Sequence, residues 1–282
     1  MSSAVKVTLR EGGPSLSLSD SDFNYFSEAI FKRTGIYLSP VKIDLVKTRL
    51  RKRLQARALS NYSEYRELLE NLDNNDPEWQ SFVNMLTTNK TFFFREAGHF
   101  DFLIEQVIPE WLKKNEETFR LWCAASSTGE EVYSLGLVLK KHLPPDRKFF
   151  ILGSDVDTKV LSVAENAVYP LVEREGIPEI YHEWLTVGTK EAAGWFRIRP
   201  ELRESISFKQ INLVNPAMDE EPFDVVFCRN VLIYFQTDTI GKVNELLYKN
   251  IRPGGHCFLG HSESFQNISH KWKNAGISVY KK

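Results

Sequence analysis

The sequence predicts an α/β fold with a mostly parallel sheet, preceded by a smaller all-helical domain. From Thr118 onward, apolar runs of strand length alternate with helical stretches, which is typical of a parallel sheet covered by helices on both faces. Over residues 23–72, apolar side chains instead recur at helical spacing, with interruptions at Gly35, Pro40 and Asn61. The chain therefore divides into a helical front and an α/β back.

The composition is that of a globular protein with little overall charge. Of 282 residues, 42% are hydrophobic and 12% aromatic, enough for one large domain or two modest ones. The net charge of −1 offers no global field that would attract nucleic acid or a membrane. Residues 1–20, expected to be a flexible leader, lack a signal-peptide pattern, and no run reaches the roughly 18 apolar residues of a membrane span. We expect a cytoplasmic monomer without membrane insertion.

The helical domain is predicted at residues 21–88. Its helices are expected at about 20–34, 40–58, 62–72 and 77–87, the last beginning after an Asp-Pro start signal. The second helix has an apolar stripe and seven basic residues against one acid, Asp44. Its apolar positions are Ile43, Val46, Leu50 and Leu54; its basic positions, expected to face outward, are Lys42, Lys47, Arg49, Arg51, Lys52, Arg53 and Arg57. A solvated face is one interpretation, and docking onto an acidic protein helix or nucleic acid is the other.

Residues 89–282 are predicted to form the α/β domain. Strands are expected in the runs FRLWCAA, FFILGSD, ISFKQINL, FDVVFCRN, HCFLGHS and ISVYK. Helices are expected at 130–142, 158–166 and 237–250, the last stopped by Pro253-Gly254-Gly255. The segment at about 170–208 does not alternate in the same way, and GWFRIRPEL within it resembles an exposed antiparallel strand. We therefore predict a small β-rich insertion there.

The most informative stretch is FRLWCAASSTGEEVYSLG, residues 119–136. A buried-strand run passes through small residues into a helix start, where unpaired N–H groups can meet a ligand. The loop has neither the glycine pattern nor the lysine of phosphate-binding loops. Glu130 and Glu131 would repel a pyrophosphate and favour a ligand that bears an ammonium group, although they can also simply complement the helix dipole. S-adenosylmethionine, which has a ribose and a sulfonium but no phosphate, fits these requirements.

Polar side chains end four of the predicted strands. They are Glu130 and Glu131, Asp155 and Asp157, Asn212, and Arg229 with Asn230. Because ligands of open α/β sheets bind at the carboxyl ends of strands, we expect these groups to converge. The acid after the second strand is placed to accept hydrogen bonds from ribose hydroxyls, and Asn212 with Leu213 can hold adenine through an amide or a backbone N–H.

Six segments in order resemble the CheR family of chemotaxis receptor glutamate methyltransferases. They are NKTFFFRE (residues 89–96), CAASSTGEEVYSLG, GSDVD, INL, FDVVFCRNVLIYF and GGHCFLGHSESF, within a similarity that spans residues 23–280. The resemblance implies an all-helical N-terminal domain, a Rossmann-like S-adenosylmethionine domain and an inserted three-stranded β-subdomain. It also implies a function: methyl transfer from S-adenosylmethionine to glutamate side chains of chemoreceptors, with S-adenosylhomocysteine as product.

The resemblance further implies a set of site residues. Arg95 and Tyr234 are expected near the methyl group, as catalytic candidates, and Glu131 is favoured over Glu130 as the cofactor contact. The cofactor set is Asn89, Thr91, Arg95, Glu131, Asp155, Asn212, Leu213, Arg229 and Asn230. The run Phe92-Phe93-Phe94 is either a stacking surface or, as favoured here, a hydrophobic plug between elements.

No metal centre and no disulfide are expected. A glutamate carboxylate is already anionic when it displaces a thioether from a sulfonium, so neither a strong base nor a metal is needed. The six histidines lack ligand spacing, and Cys123, Cys228 and Cys257 lie far apart in apolar runs, as buried free thiols do.

The expected partners are the acidic cytoplasmic helices of methyl-accepting chemoreceptors, met by the basic helix at 41–58. The sequence leaves open whether a receptor's C-terminal peptide adds to the β-subdomain near the GTKEAAG loop, residues 188–194. A nucleic-acid methyltransferase is disfavoured, because RNVLIY (residues 229–234) replaces the Asp/Asn-Pro-Pro-aromatic segment of base-amino methyltransferases. A scaffold that binds the cofactor without catalysis remains the third alternative.

Overall fold

A computed structural model describes residues 16–114 and 116–282, so most of the predicted leader lies outside the described residues. The chain forms two compact units. The described part of the first comprises residues 16–29 and 38–86, and the second comprises Ile30–Tyr37 and Thr87–Lys282. No helix in the described ranges is long and apolar enough to cross a membrane.

The first unit is built from helices α1 (Asp20–Thr34, whose last residues belong to the second unit), α2 (Ile43–Arg57), α3 (Tyr62–Glu70) and α4 (Pro77–Leu86). Local signals set their ends. Asn61 caps α3 by accepting a hydrogen bond from the backbone N–H of Glu64, and α2 ends at Ala58 in the left-handed conformation. Phe26, Tyr65 and Phe82 pack as an aromatic core with ring centroids 5.9–6.5 Å apart.

One expectation about α2 is wrong: its basic residues do not all face outward. Val46, Leu50 and Leu54 are buried as predicted. The Arg53 guanidinium, however, bonds both carboxylate oxygens of the buried Glu78 of α4, at 2.8 and 2.5 Å. Arg49 donates to the carbonyl oxygen of Leu86 at 2.8 Å. Arginine side chains at the edge of an apolar stripe can reach inward to a buried acceptor, which counting charges along the helix does not reveal.

The second unit contains a seven-stranded sheet in the order β6-β2-β1-β7-β8-β10-β9. The first five of these strands pair in parallel, and β8, β10 and β9 pair antiparallel. The strands are β1 (Thr118–Cys123), β2 (Lys148–Asp155), β6 (Ile206–Gln210), β7 (Phe223–Cys228), β8 (Ile251–Leu259), β9 (Lys273–Gly276) and β10 (Val279–Lys281). Among the parallel strands, chain order runs outward from β1 through β2 to β6 on one side and from β7 to β8 on the other, so strand order reverses between β1 and β7. That reversal is where an open α/β sheet binds its ligand.

Helices cover the sheet, and a small second sheet is inserted between β2 and β6. The helices are α5 (Gly98–Phe102), α6 (Ile108–Leu112), α7 (Glu130–His142), α8 (Thr158–Asn166), α9 (Pro200–Arg203) and α10 (Thr237–Asn250). The inserted sheet is antiparallel, in the order β3-β5-β4, with β3 at Val168–Pro170, β4 at Leu185–Val187 and β5 at Trp195–Ile198. The α/β fold with a helical N-terminal domain and a three-stranded insertion is thereby confirmed.

Three local features differ from the expectations. Residues 98–112 are helical, with a π-helical turn at Leu103–Val107 ahead of Pro109, which lacks an N–H and obscures the helical pattern. Strand β8 begins at Ile251, so the Pro-Gly-Gly run lies inside a strand rather than before it. Strand β9 has the sequence KNAG, which carries no strand signal, and it forms by pairing with β10. The three cysteines are buried and free, as predicted.

Candidate functional site

A deep cleft of the second unit lies at the carboxyl ends of β1, β2, β6 and β7. It offers about 830 Å³, open solvent at its mouth included. Every site residue expected from the sequence lines it: Asn89, Thr91, Arg95, Glu131, Asp155, Asn212, Leu213, Arg229, Asn230 and Tyr234. Thr34 and Ile36, from the end of α1 and the segment after it, also line the cleft, and sequence reasoning missed them. The strand ends therefore converge.

The loop after β1 approaches its neighbours closely enough to require small residues. Gly129, the residue before α7, has φ +98°, and a Cβ there would lie 2.8 Å from the Cβ of Ala164 and 2.9 Å from the Tyr169 hydroxyl. Ser127 adopts a left-handed φ of 47° and donates its N–H to an Asp155 carboxylate oxygen at 2.9 Å. The loop backbone is thus tied to the end of β2, and Ala124 and Ala125 leave room beside it.

Asp155 and Asp157 have different roles. Asp155 is 9% exposed and lines the cleft, and its burial raises the pKa of its carboxyl to about 6 despite N–H donors from Asp157 and Ser127. Asp157 is buried and caps α8, accepting from the backbone N–H groups of Lys159 and Val160. The other oxygen of Asp157 accepts from Thr87 Oγ1 at 2.7 Å and from Asn89 Nδ2 at 2.8 Å. Asp157 therefore fixes Asn89, and Asp155 is the one of the two acids that lines the cleft.

The two glutamates that begin α7 point in different directions. Glu130 is 6% exposed and accepts hydrogen bonds from the Thr128 hydroxyl, and burial raises the pKa of its carboxyl. Glu131 lines the cleft; its Oε1 accepts from the buried Cys123 thiol at 3.0 Å, and its Oε2 lies 3.1 Å from Arg229 Nη1. The preference for Glu131 therefore matches its position, which leaves it available to a ligand.

Arg229 is a buried cation held between two carboxylates. Its side chain is 1% exposed, with Nη2 3.0 Å from Glu96 Oε2 and Nη1 3.1 Å from Glu131 Oε2. Nη2 also donates to the carbonyl oxygen of Arg95 at 2.5 Å, while Nε and Nη1 have no hydrogen-bond acceptor in good geometry among the described residues. Two negative charges around one positive charge leave this part of the cleft with an excess negative charge, which attracts a cationic ligand.

Two glutamates that sequence reasoning left without a role, the half-buried Glu96 and the buried Glu263, bind the residues after β7. Glu96 accepts from Asn230 Nδ2 at 3.2 Å and from the backbone N–H of His261 at 3.2 Å. Glu263 accepts from the backbone N–H groups of Asn230 and Gly260, both at 2.7 Å. Both glutamates belong to segments that carry the family resemblance, and that position was the only signal for them.

The side chain of Asn212 is less available to bind adenine than the sequence suggested. Its Nδ2 donates to the carbonyl oxygen of Arg33 at 2.5 Å, and its Oδ1 accepts from the N–H of Val214 at 3.1 Å. Both ends of the amide are therefore occupied by backbone. Of the two ways predicted for holding adenine, a backbone N–H beside the buried Leu213 is favoured.

Arg95 and Tyr234, the catalytic candidates, are half-buried at the cleft. Arg95 Nη1 donates to the carbonyl oxygen of Lys90 at 3.1 Å, and its guanidinium carbon lies 5.5 Å from the centre of the Phe92 ring. The backbone oxygen of Tyr234 accepts from the N–H of Tyr37 at 2.8 Å. This bond helps to fix Tyr234, which the sequence places just beyond β7.

The three phenylalanines that precede Arg95 divide between two roles. Phe93 is buried against Tyr169 and Phe196, and Phe94 stacks on Tyr181 with ring centroids 5.1 Å apart. These two form the predicted plug, which joins this loop to the inserted β-sheet. Phe92 is instead half-exposed beneath the Arg95 guanidinium.

Spacing along the chain failed to predict a cluster of Glu96, His99 and His261, whose potential ligand atoms lie within 4.8 Å of one another. His99 contacts the carbonyl oxygen of Ile277 through Nε2 at 3.2 Å, and burial, followed by the charge of Arg229, lowers the pKa of His99 to about 4. Glu96 Oε2 is already engaged by Arg229 and by the N–H of His261. A metal ion there would have to compete with a buried guanidinium, so we assign the cluster to packing.

The chemistry of the cleft fits S-adenosylmethionine. Asp155 can accept hydrogen bonds from ribose hydroxyls, and the negative charge around Glu131 suits an ammonium and a sulfonium. A left-handed φ at four non-glycine residues of the site, Phe94, Glu96, Ser127 and Asn230, shows a backbone held in sparsely populated conformations where a ligand would bind.

Comparisons with known proteins agree with this description. The family model described as "CheR methyltransferase, SAM binding domain" matches residues 89–281, and "CheR methyltransferase, all-alpha domain" matches residues 21–87. The "Chemotaxis protein methyltransferase" of Salmonella typhimurium is 38% identical over 94% of this chain and 91% of its own length. The "Chemotaxis protein methyltransferase 2" of Pseudomonas aeruginosa is 39% identical over 92% of each chain. A solved SAM-dependent methyltransferase from Methanosarcina mazei covers 54% of this chain and 56% of its own at 14% identity, with a TM-score of 0.33.

Proposed function

This chain belongs to the CheR methyltransferase family, and we propose that it methylates specific glutamate side chains in the cytoplasmic domains of chemoreceptors. It is an S-adenosylmethionine-dependent methyltransferase, and its relatives are named as chemotaxis proteins. The single observation that carries the proposal is a cleft with excess negative charge that has Arg95 at its edge. We propose that this methylation takes place in the cytoplasm and tunes receptor adaptation.

In this proposal, the lining residues divide the cofactor among them. Asp155 accepts from the ribose hydroxyls, and the backbone beside Leu213 holds adenine. The ammonium group lies against Glu131, whose charge is kept in place by Cys123 and Arg229. Asn89 and Thr91 close the cleft from the loop before α5, with Asn89 anchored by Asp157. Asn230 completes the cofactor set from the end of β7.

The bound cofactor supplies an electrophilic methyl carbon, which a carboxylate oxygen attacks as the carbon–sulfur bond breaks. The protein has no proton to move, because the nucleophile is an anion and the leaving thioether is neutral. Its task is to align the reacting atoms and to exclude water. Arg95 is suited to orient a carboxylate with two parallel N–H bonds, and Tyr234 to line the methyl pocket.

Two surfaces are proposed to meet the receptor. The exposed side chains of Lys42, just before α2, and of Arg51 and Lys52 on α2 can attract an acidic helical bundle. On the inserted sheet, β4 lies at an edge and Trp195 is 47% exposed, so a receptor's terminal peptide has a strand to extend and an aromatic side chain to cover.

Transfer of a labelled methyl group tests the proposal. Purified protein, labelled S-adenosylmethionine and receptor cytoplasmic fragments should give protein-bound label that mild alkali releases, as it does from esters. Fragments with the candidate glutamates changed to alanine are the matched control and should take up no label. Stable label would indicate nitrogen methylation. Label transferred to RNA would favour the nucleic-acid alternative, and cofactor binding without any transfer would favour a scaffold.

A further inference from the structure

Glu96 and Glu263 together hold the turn that follows β7. Asn230 donates two hydrogen bonds, from its backbone N–H to Glu263 and from its side-chain amide to Glu96. The two residues after β8 are held by the same carboxylates: the N–H of Gly260 donates to Glu263, and the N–H of His261 donates to Glu96. Strands β7 and β8 pair in the sheet as far as Cys228 and Leu259. Each carboxylate joins the residues that follow these paired ends, and we call this arrangement the glutamate clasp.

The clasp has no spare room. A Cβ on Gly260 would lie 2.5 Å from Asn230 Nδ2 and 2.7 Å from Glu263 Oε2. Asn230 itself has φ +57°, a left-handed conformation that asparagine adopts more readily than other non-glycine residues. The carboxylates supply the acceptors that hold this backbone, since Glu263 also accepts from the N–H of Ile233 at 3.3 Å. Tyr234 is the next residue after Ile233, so the same bond helps to fix the backbone at Tyr234.

Glu96 has a second role, which is electrostatic. It shares the charge of Arg229 with Glu131, at 3.0 and 3.1 Å. If Glu96 carried no charge, Arg229 would have Glu131 as its only carboxylate partner and would neutralise it. The negative potential available to a cationic ligand depends on this sharing, because the cluster of three groups otherwise falls from a net charge of −1 to zero.

We propose that Glu96 and Glu263 are positioning residues of the methyl-transfer site: Glu263 fixes the turn that carries Asn230 and Tyr234, and Glu96 also keeps Glu131 negative toward the cofactor. This inference rests on the proposed cofactor site. It predicts different signatures for the two glutamates, because only Glu96 contacts Arg229. Both S-adenosylmethionine and S-adenosylhomocysteine carry the ammonium and carboxylate groups, but only S-adenosylmethionine has the sulfonium and hence a net charge of +1. Comparing the two ligands therefore isolates the electrostatic effect on the sulfonium.

Calorimetry on the full chain tests this with Glu96→Gln and Glu263→Gln, which keep shape and remove charge. For Glu96→Gln we expect the Kd of S-adenosylmethionine to rise about tenfold or more, and that of S-adenosylhomocysteine by about threefold. For Glu263→Gln we expect equal rises for both ligands. The control is Glu105→Gln, an exposed residue of the same charge, for which both values should stay unchanged. In steady-state assays, the KM for the cofactor should rise while the KM for the receptor fragment stays constant.

Folded variants with unchanged ligand affinities would overturn the inference, as would a Glu96→Gln variant that weakens both ligands equally. If a variant does not fold, hydrogen exchange of the unmodified protein decides. The amides of Asn230, Gly260 and His261 should exchange slowly before any ligand is added, and fast exchange at all three would contradict a preformed clasp. If the unmodified protein binds neither ligand, the proposed cofactor site fails instead, so the two failures are distinguishable.

Discussion

Each of the two units contains a buried ion cluster, and the two clusters are arranged in opposite ways. In the helical unit, one carboxylate is surrounded by donors: Glu78 accepts from Arg53, from Arg57 and from the Tyr65 hydroxyl, all at 2.5–2.8 Å. In the α/β unit, one guanidinium lies between two carboxylates, and Arg229 retains N–H groups for which residues 16–114 and 116–282 provide no acceptor in good geometry.

The difference separates a structural cluster from a functional one. Burial opposes ionisation of Glu78, but the bonds from Arg53, Tyr65 and Arg57 outweigh it and lower the pKa of this carboxyl. The cluster is complete without a ligand. Around Arg229 the negative charge exceeds the positive, which costs free energy in a buried place unless a cation joins it. Excess negative charge and unfilled hydrogen bonds, rather than burial alone, therefore indicate which cluster is suited to binding a cation.

The largest expected effect is a loss of stability when the Glu78 cluster of the helical unit is disrupted. Glu78→Gln leaves the two arginines without their buried counter-charge, and we expect a loss of about 3 kcal/mol in the free energy of unfolding, measured by urea titration. The affinity for S-adenosylhomocysteine should remain within a factor of two. A large loss of ligand affinity in the folded variant would contradict the division between the clusters. Glu67→Gln, an exposed position on α3, is the control for the charge change.

The next largest effect concerns Arg95. Arg95→Ala removes the group proposed to orient a carboxylate, and misplacement of the reacting atoms should reduce turnover about 100-fold. The side chain is only half-buried, so the melting temperature should move little. Arg95→Lys, which keeps the charge but not the two-pronged geometry, should recover only part of the activity. Turnover close to that of the unmodified protein would remove Arg95 from the mechanism.

The sequence predicted most of this site because strand ends are local signals. Strand β2 ends at Asp155 and β7 before Arg229, and parallel pairing then brings such ends together whatever the rest of the chain does. The residues it missed act across long separations. Glu263 accepts from the backbone N–H of Asn230 from 33 residues away, and Glu96 accepts from the side-chain amide of the same residue from 134 residues away. No local pattern encodes such pairs.

The direction of a side chain was also beyond the sequence. The apolar periodicity of α2 correctly predicted that Val46, Leu50 and Leu54 are buried. It wrongly predicted that Arg53 faces solvent, because periodicity does not reveal that a long side chain bends toward a buried acceptor. The same limit applies to Glu130 and Glu131, adjacent residues whose burial and partners only the tertiary structure distinguishes.

A pH titration should show a smaller effect, through Asp155. Its pKa of about 6 means that the free protein protonates this acceptor in mild acid. Affinity for S-adenosylhomocysteine should therefore be constant above pH 7 and fall, by up to about tenfold per pH unit, below pH 6. On stability the sign is opposite: a raised pKa favours the folded state in acid, and that contribution is lost as the pH rises through 6. Unfolding through this group thus cannot cause the loss. Asp155→Asn should bind more weakly and without this pH dependence.

The smallest expected effect is on the association of the protein with the receptor. In our proposal, the helical unit promotes this association through basic side chains that are not bonded to Glu78. Arg53 and Arg57 are engaged by Glu78, so the informative reversals are Arg51→Glu and Lys52→Glu together, both exposed. We expect kcat/KM for receptor fragments to fall about fivefold, with the difference shrinking as salt screens the charges, and cofactor affinity to stay constant. Reversing the exposed Lys140 and Lys148 of the α/β unit makes the same change in net charge. An equal loss in that control would mean that overall charge, rather than α2, governs the encounter.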